Sequence, residues 1–516
     1  MICGVGISYQ VDTQYPYFHP LKKAVIIGSG FAGLSAACFM AKAGMDTTVL
    51  EKHAIPGGRA RKFIADGFVF DMGPSWYWMP DVFERFFSSF NKKVADYYQL
   101  DRLNPSYRIY WPDAKMDIPA DYTELRKLFE SMEEGSAGRL DQYMKEAEYK
   151  YKIGINKLVH KPGLSMSEFL EIDFLKGVFK LDVFTSMKKH IGKYFKNTHL
   201  RQLLEFPILF LGALAQDTPA LYSLMNYADI KLGTWYPQGG MYKVVEGMHS
   251  LAKELGVKFL FNMDVSEIKV ANGKANRVVA NDSLSEEYFY EADVVIGAAD
   301  YHYLEMNLLS KENRTYSKEY WDSRVMAPSC LLYFVGLNRK LKDIQHHSLF
   351  FDTDFNEHGR EIYITGKWPA DPLFYVCSPS VTDETVAAAG NENLFFLIPV
   401  AAGLQGDTEE LRETYFQRIL SRFETRTGQS VRDAIIYKKT YSVSNFIQDY
   451  NAFRGNAYGL ANTLRQTAVL KPSCRSNKIK NLFYTGQLTI PGPGVPPSLI
   501  SGEVVAKEAL KYLNKS

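Results

Sequence analysis

The sequence has few cysteines, and their placement gives no sign of a shared structural site. The five are odd in number, scattered along the chain and without a CxxC pair: Cys3, Cys38, Cys330, Cys377 and Cys474. This pattern argues against a disulfide framework or a zinc knuckle, and it favours a reducing compartment.

Long apolar runs are also missing. The longest candidate, residues 206–215, is about half of the roughly 18 residues that a membrane-spanning helix requires. Residues 1–20 lack the basic start and the continuous apolar stretch of a signal peptide, so we expect an irregular leader there. The chain is therefore expected to be soluble, or to lie on a membrane without crossing it.

Neither sign of charge dominates. The chain has 60 Lys and Arg against 58 Asp and Glu, a formal net charge of +2, and 46% hydrophobic residues. These values exclude a mainly disordered chain and predict no nucleic-acid partner. The ten histidines form no HExxH motif, so no metal site is predicted, and we expect His346 and His347 at the surface. No GxSxG motif or Cys/His nucleophile pair is present either.

The sequence does contain a βαβ pattern near its start. Residues 24–27 are a β-branched run typical of a buried parallel strand, residues 33–42 have a helical pattern, and residues 47–51 predict a second strand. A GxGxxG motif joins the first strand to the helix through Gly28, Gly30 and Gly33. Such glycines let backbone N–H groups at a helix N-terminus meet a pyrophosphate, which indicates a dinucleotide cofactor.

The residues that follow extend this prediction. Glu51 stands 18 residues after Gly33, at the end of the second strand. A carboxylate there accepts ribose hydroxyls and disfavours a 2′-phosphate, so NADP is not expected. Lys52, next to it, is also predicted to bind the cofactor. Gly58 lets the backbone approach a bulky group, and Arg59 offers a fixed fork of donors to phosphate oxygens.

A third glycine-containing segment lies far along the chain. Gly486 follows a predicted strand, and the proline- and glycine-rich residues 491–497 lead into a helix. Gly494 and Val495 stand where that helix begins. Its N-terminal partial positive charge is suited to the pyrimidine edge of a flavin.

Together these segments resemble the FAD-binding fold shared by amine oxidases, Rab GDP-dissociation inhibitors and carotenoid desaturases. The closer resemblance, from Lys22 onward, is to the phytoene desaturases of bacteria and fungi. It is carried by segments 66–76, 235–241, 375–380 and 453–472. The resemblance implies FAD as the cofactor, with Gly73 and Ser75 bordering the flavin and Val265 holding the adenine.

The resemblance implies an α/β fold: a Rossmann-like FAD-binding domain of the amine oxidase type, a mixed β-sheet substrate domain and a helical, membrane-associating subdomain. Because nucleotide-type signals occur at both ends and in the middle, we expect the FAD-binding domain to be discontinuous. The predicted boundaries are a leader at 1–20, FAD-binding segments at 21–104, 230–300 and 471–516, a helical, membrane-associating region at 105–229 and a substrate-binding domain at 301–470.

Residues 150–201 form a basic stretch, with 11 Lys and Arg against four Asp and Glu. Apolar residues are interleaved with these charges: Phe169, Leu170, Ile172, Phe174, Leu175, Val178, Phe179 and Phe184. The stretch fits either an amphipathic segment at an anionic membrane interface or a solvated helical face over an ordinary core. The membrane-dissolved substrate that the resemblance implies favours the interface, and with it a cytoplasmic location on the inner face of the cell membrane.

The function implied by the resemblance is FAD-dependent desaturation of a long apolar polyene, converting 15-cis-phytoene to lycopene in successive steps. Oxygen or a quinone would then reoxidise the cofactor. The alternatives on the same fold are a later-pathway carotenoid desaturase, a ketolase and a carotene cis–trans isomerase. A flavin amine oxidase or a lipid-binding escort protein is more distant.

Two positions depart from the pattern of the resemblance. Gln487 stands where many flavoproteins of this fold carry an acid, and residues 197–201 lack the acid that often precedes a His-Leu-Arg segment. The missing acid/base set is compatible with flavin chemistry, in which the cofactor performs the difficult step. Arg201 is the predicted polar residue beside the flavin.

Overall fold

The computed structural model describes residues 21–169, 182, 185–209 and 214–515. The predicted leader lies outside the described residues. So do most of the apolar positions of the basic stretch, namely Leu170, Ile172, Phe174, Leu175, Val178, Phe179 and Phe184, together with the side chain of Phe169.

The strands are β1 (Lys23–Ile27), β2 (Asp46–Glu51), β3 (Lys62–Ala65), β4 (Phe68–Asp71), β5 (Leu100–Arg102), β6 (Tyr107–Tyr110), β7 (Lys115–Ile118), β8 (Trp235–Pro237), β9 (Lys258–Phe261), β10 (Asp264–Ala271), β11 (Lys274–Asn281), β12 (Glu287–Glu291), β13 (Val294–Gly297), β14 (Ser329–Leu337), β15 (His347–Phe350), β16 (Phe374–Cys377), β17 (Glu392–Val400), β18 (Ile435–Tyr441) and β19 (Leu482–Tyr484).

The α-helices are α1 (Phe31–Lys42), α2 (Pro80–Ser88), α3 (Tyr122–Met132), α4 (Ser136–Ile153), α5 (Met187–Tyr194), α6 (Thr198–Leu209), α7 (Leu224–Tyr227), α8 (Tyr242–Glu254), α9 (Tyr301–Leu308), α10 (Lys318–Asp322), α11 (Phe355–Arg360), α12 (Glu409–Thr427), α13 (Val443–Tyr450) and α14 (Val495–Leu513).

The first layer is a five-stranded parallel sheet in the order β19-β13-β1-β2-β9. Its strands come from three distant parts of the chain. Alternate residues of β1 face opposite sides: Ala24 and Ile26 pack with the helices, and Val25 and Ile27 pack with the antiparallel sheet β10-β11-β12. Both faces are covered, which explains why β1 is a continuous apolar run.

Helices α1 and α14 lie against each other on the helical side of this sheet. Ser35 Oγ donates a hydrogen bond of 2.7 Å to the carbonyl of Leu499. A Cβ on Gly502 would come within 2.6 Å of the Ser35 Cβ and would overlap the Ala32 carbonyl. The absence of a side chain at Gly502 therefore lets the two helices touch.

The second layer is a seven-stranded mixed sheet in the order β18-β14-β17-β16-β15-β6-β7. One face packs against α12, through Phe416, Leu420 and Phe423. The opposite face joins the core that contains α1. Strands β14, β16 and β17 are buried along almost their whole length, as inner strands of a sheet that is covered on both faces are.

The region predicted as helical at 105–229 begins differently, with the hairpin β6–β7. Strand β6 pairs in parallel with β15, so this hairpin extends the seven-stranded sheet. All four residues of β6 are buried, and a short apolar run of that kind does not distinguish a strand from a helix segment. After the hairpin, the described residues of the region are mostly helical, from α3 to α7. None of the helices traced through the described residues is both long and apolar enough to cross a bilayer.

Candidate active site

A cavity of about 380 Å³ is lined by residues of both large sheets. The β1–α1 turn, the ends of β2 and β13 and the start of α14 line it on the parallel-sheet side. Strands β14, β16 and β17 contribute Leu332, Tyr375 and Phe395 on the other side. The cavity therefore joins a wall of backbone turns and helix ends to a wall of apolar side chains.

The three glycines of the first turn have different roles. Gly28 has φ +101, which favours glycine, and its N–H donates to the Leu50 carbonyl at 2.8 Å. Gly30 has no atom within 4 Å of an added Cβ and lines the cavity. Gly33 does not line the cavity: its Cβ would overlap the Gly28 carbonyl, so it packs the helix against the turn.

Glu51 is buried at the end of β2, with 4% of its surface exposed. Its Oε2 accepts from the N–H and hydroxyl of Ser29 at 2.8 and 2.7 Å, and its Oε1 accepts from the His53 N–H at 3.0 Å. A carboxylate has about four acceptor positions, so one remains for a hydroxyl in the cavity. Lys52 and Val265 line the cavity near it.

Arg59 is a half-buried cation of the cavity wall. Its Nε has no hydrogen-bond partner among the described residues, and its Nη2 donates to the Asn456 carbonyl at 3.3 Å. Burial lowers the pKa of Arg59, and the carboxylate of Asp300 opposes this shift. A guanidinium with a buried, unpaired N–H is a fitting partner for phosphate oxygens. The site therefore fits the pyrophosphate of a dinucleotide.

Two further glycines of the cavity wall, Gly486 and Gly73, differ in what surrounds them. Gly486 has no atom within 4 Å of an added Cβ, and Gly73 would overlap the Arg59 carbonyl if it carried one. Gly494 is the N-cap of α14 and lies at the cavity with Val495, whose N–H is the donor of a first turn that continues with two prolines, Pro496 and Pro497. A helix N-terminus in this place stabilises negative charge on a bound cofactor.

The other end of the cavity is apolar and aromatic. Trp76, Trp78, Leu397 and Phe395 line it, and the Trp76 ring stacks on His347 with ring centroids 4.1 Å apart. Ser75 and Tyr375 are polar groups within this wall, hydrogen-bonded to each other at 3.0 Å. Such a lining suits a long hydrocarbon.

The structure brings most of the predicted cofactor-binding residues together at this cavity. The residues that line it are Gly28, Gly30, Glu51, Lys52, Gly58, Arg59, Gly73, Ser75, Val265, Gly486, Gly494 and Val495. Arg201, the predicted polar residue beside the flavin, is not among the lining residues. On α6 the leucines 200, 203 and 204 are buried, which turns Arg201 toward the half-exposed side.

The prediction that His346 and His347 lie at the surface is wrong. Their exposed fractions are 3% and 0%, because β15 is an inner strand of the seven-stranded sheet. Together with Cys377 they offer nitrogen and sulfur atoms within 4.8 Å of one another. The local sequence of β15, His-Ser-Leu-Phe, is apolar only in its second half and gives no sign of this burial.

Comparison with known proteins agrees with this geometry. The model of the family "flavin containing amine oxidoreductase" matches residues 31–510. A carotenoid 3,4-desaturase of Haloarcula japonica is 40% identical over 489 residues, which cover 94% of this chain and 97% of that protein. A zeta-carotene-forming phytoene desaturase of Myxococcus xanthus is 28% identical over 497 residues, covering 95% and 94%.

Among solved structures, an oxidoreductase from Methanosarcina mazei has a TM-score of 0.62 at 15% identity, covering 94% of this chain and 100% of its own. This likeness confirms the predicted α/β fold; the membrane-associating role of the helical region stays a prediction. The matched residues include Glu51 and the N-terminus of α14, and the family confirms FAD as the cofactor. The chain belongs to the flavin-containing amine oxidoreductase family, within its group of FAD-dependent carotenoid desaturases.

Proposed function

We propose that this chain desaturates a carotenoid, removing two hydrogens from adjacent carbons of a long polyene. The observation that carries the proposal is the single cavity, which is polar and glycine-rich at one end and lined by Trp76, Trp78 and Phe395 at the other. When bound, FAD supplies the hydride acceptor. The carotenoid desaturases named above, which are similar in sequence, support a carotenoid as the substrate.

The side chains of the cavity would perform three tasks. Glu51 and Arg59 would hold the ribose and phosphate groups of FAD, because the buried Glu51 carboxylate has an acceptor position left and the buried Nε of Arg59 has no partner among the described residues. The rings of Trp76 and Trp78 would orient the polyene. The same rings would exclude water, which protects a positively charged carbon from attack while the reaction proceeds.

We further infer that the substrate is a carotenoid of the later pathway, desaturated near its end, rather than 15-cis-phytoene converted to lycopene. The support is the 40% identity to a carotenoid 3,4-desaturase, against 28% to a zeta-carotene-forming phytoene desaturase. Because the same scaffold serves several reactions, the choice requires a direct assay.

The test uses purified holoprotein in liposomes, given either 15-cis-phytoene or lycopene, with and without added FAD. Each new conjugated double bond moves the absorption of the extracted pigment to longer wavelength. We expect product from lycopene and little from phytoene. Conversion of phytoene alone would restore the lycopene-forming assignment, an isomer of unchanged mass would indicate an isomerase, and oxygen in the product would indicate a ketolase.

We also propose that the protein is peripheral to the inner face of the cell membrane, with oxygen or a quinone as electron acceptor. Leu164 and Leu470 are exposed by 38% and 52%. Their loops adjoin, since a Cβ on Gly163 would lie 3.5 Å from the Ala468 carbonyl. Replacing both leucines with aspartate should reduce co-flotation with anionic vesicles, whereas Leu284→Asp, in the exposed turn between β11 and β12, should not. Equal flotation of all variants would contradict the interface.

A further inference from the structure

A chain of polar side chains leads away from the apolar end of the cavity into the seven-stranded sheet. The Tyr375 hydroxyl lies 3.0 Å from Ser75 Oγ, which is at the cavity, and 2.7 Å from Nδ1 of His347. His347 stands opposite Cys377 in the β15–β16 pair, on the face that looks toward the cavity. The cavity is thus connected to a buried imidazole through one phenol.

The chain continues to the surface through the neighbouring histidine. The rings of His346 and His347 have centroids 4.5 Å apart, and Nδ1 of His346 lies 2.7 Å from the hydroxyl of Thr382. Thr382 is exposed. The Nε2 atoms of both histidines are buried and have no hydrogen-bond partner among the described residues.

Burial keeps both imidazoles neutral at physiological pH. It lowers the pKa of His346 to about 3 and that of His347 well below the ordinary value. A neutral imidazole has a free lone pair on one nitrogen and a proton on the other, so it can accept a proton on one side and release one on the other. The carboxylate of Asp383 raises the pKa of His346 and so favours a passing positive charge.

We propose that these groups form a proton path from the cavity to the surface and that His347 takes up the proton that the substrate loses. We call the path the histidine relay; its members are Ser75, Tyr375, His347, His346 and Thr382. The inference rests on the proposed desaturation, in which one hydrogen leaves as a hydride and the other as a proton.

The step balances as follows. The hydride leaves one carbon with the electron pair of its C–H bond, and FAD is the oxidant that accepts it. The C–H bond of the adjacent carbon then breaks, and its electron pair becomes the new carbon–carbon π bond. The proton passes through Ser75 and Tyr375 once their hydroxyls have turned, so that Ser75 donates to Tyr375 and Tyr375, which donates to Ser75 at rest, donates to His347. His347 accepts that proton on Nδ1 and releases one from Nε2 toward His346. Thr382 passes a proton to solvent.

Two variants with matched controls test the relay. His347→Gln removes the imidazole, and Tyr375→Phe removes only the hydroxyl. His358→Gln is the control for a lost buried histidine, because both His358 nitrogens are bonded to backbone, to the Pro399 carbonyl and the Leu373 N–H. Tyr333→Phe is the control for the phenol, since Tyr333 lies on the opposite face of the sheet.

Each variant holoprotein is mixed anaerobically with the carotenoid, and the absorbance of the desaturated product, whose new double bond forms as the proton leaves, is followed in a single turnover. Both relay variants should slow it by about 100-fold, the lower range for general base catalysis, while the controls stay within twofold. Deuterium at the carbon that loses the proton should slow the relay variants more than the wild type. FAD content and Tm report whether the fold and the cofactor are retained.

A second readout does not require turnover. In ¹⁵N-histidine-labelled protein, the His347 resonance, assigned with His347→Gln, should shift in Tyr375→Phe and stay in place in Tyr333→Phe. An unshifted resonance would overturn the relay. Turnover by the relay variants within twofold of wild type would also overturn it, as would a stoichiometric metal ion lost from His347→Gln. If none of the carotenoids offered reduced the flavin of the wild type, the proposed function would be overturned instead. The His347 resonance would still test the Tyr375–His347 contact in that case.

Discussion

Gly30 and Gly33 stand three residues apart in one motif and yet serve different purposes. Gly30 has ordinary backbone angles, φ −69 and ψ 177, and open space on its Cβ side. Gly33 has the Gly28 carbonyl in that position. One glycine therefore keeps volume free for the cofactor, and the other allows the backbone of the helix to approach that of the turn.

A pair of alanine substitutions should separate these purposes. Gly30→Ala should leave the Tm of the apoprotein unchanged and weaken FAD binding, because the new methyl group points into the cavity. Gly33→Ala should destabilise the fold by about 1–3 kcal/mol through overpacking. Thermal unfolding of both apoproteins and FAD titration by flavin fluorescence check this. A lower Tm for Gly30→Ala would contradict the assignment.

Glu51 offers a second prediction at this scale. Glu51→Ala should weaken FAD binding about 10- to 100-fold, since a hydrogen bond to a charged group contributes about 1.5–3 kcal/mol. Glu267→Ala is the control, as its side chain is 57% exposed on β10. Equal affinities in the two variants would mean that the ribose lies elsewhere.

At the scale of elements, a buried carboxylate ties the β6–β7 hairpin to the strand β8 region. Asp229 accepts from the Tyr107 hydroxyl of β6 at 2.7 Å and from Thr234 Oγ1 at 3.3 Å. Thr234 in turn accepts from Trp78 Nε1 at 2.8 Å, and Trp78 lines the cavity. These hydrogen bonds fix the position of Trp78 in the wall at the apolar end of the cavity.

This carboxylate should make the stability depend on pH. Burial raises the pKa of Asp229 to about 7. A carboxyl group whose pKa is higher in the folded state binds its proton more tightly there than in the unfolded state. Its contribution to the free energy of unfolding is therefore complete below about pH 4 and is lost as the pH rises to about 7. Asp229→Asn cannot ionise, and its Tm should fall less than that of wild type between pH 5 and 8.

The control for that experiment is Asp217→Asn, an exposed acid in the same region. Its Tm should follow the wild-type curve across the same pH range. If the Tm of Asp229→Asn also followed the wild-type curve, the ionisation of Asp229 would play no part in the pH dependence of the stability.

Elements defined by neighbouring residues were predictable, and those defined by distant partners were not. The β1–α1–β2 unit is predicted by apolar runs and glycines that lie within 30 residues of one another. The same local pattern predicts the cofactor-binding residues of this unit. The hairpin β6–β7 depends on pairing with β15, more than 200 residues away. The burial of His347 depends on Cys377 and Trp76, which its local sequence does not reveal.

For the whole molecule, the cavity is where distant parts of the chain meet. Its wall combines residues 27–60, 263–265, 298–303 and 486–498. A ligand that binds only this folded arrangement stabilises it, by about 2.7 kcal/mol at 100 times its Kd. The Tm should therefore rise with FAD concentration in wild type and rise less in Glu51→Ala. A Tm independent of FAD would contradict a cofactor site assembled from these segments.

The position of α14 in that wall has a consequence for biosynthesis. Residues 486–498 leave the ribosome more than 400 residues after the GxGxxG turn. Until then, β13 lacks its neighbouring strand β19 in the nascent chain, and α1 lacks its neighbour Leu499. Loading of the prosthetic group is thus a late event, and through most of translation the apolar faces of α1 and β13 need shielding by a chaperone or by the emerging chain itself.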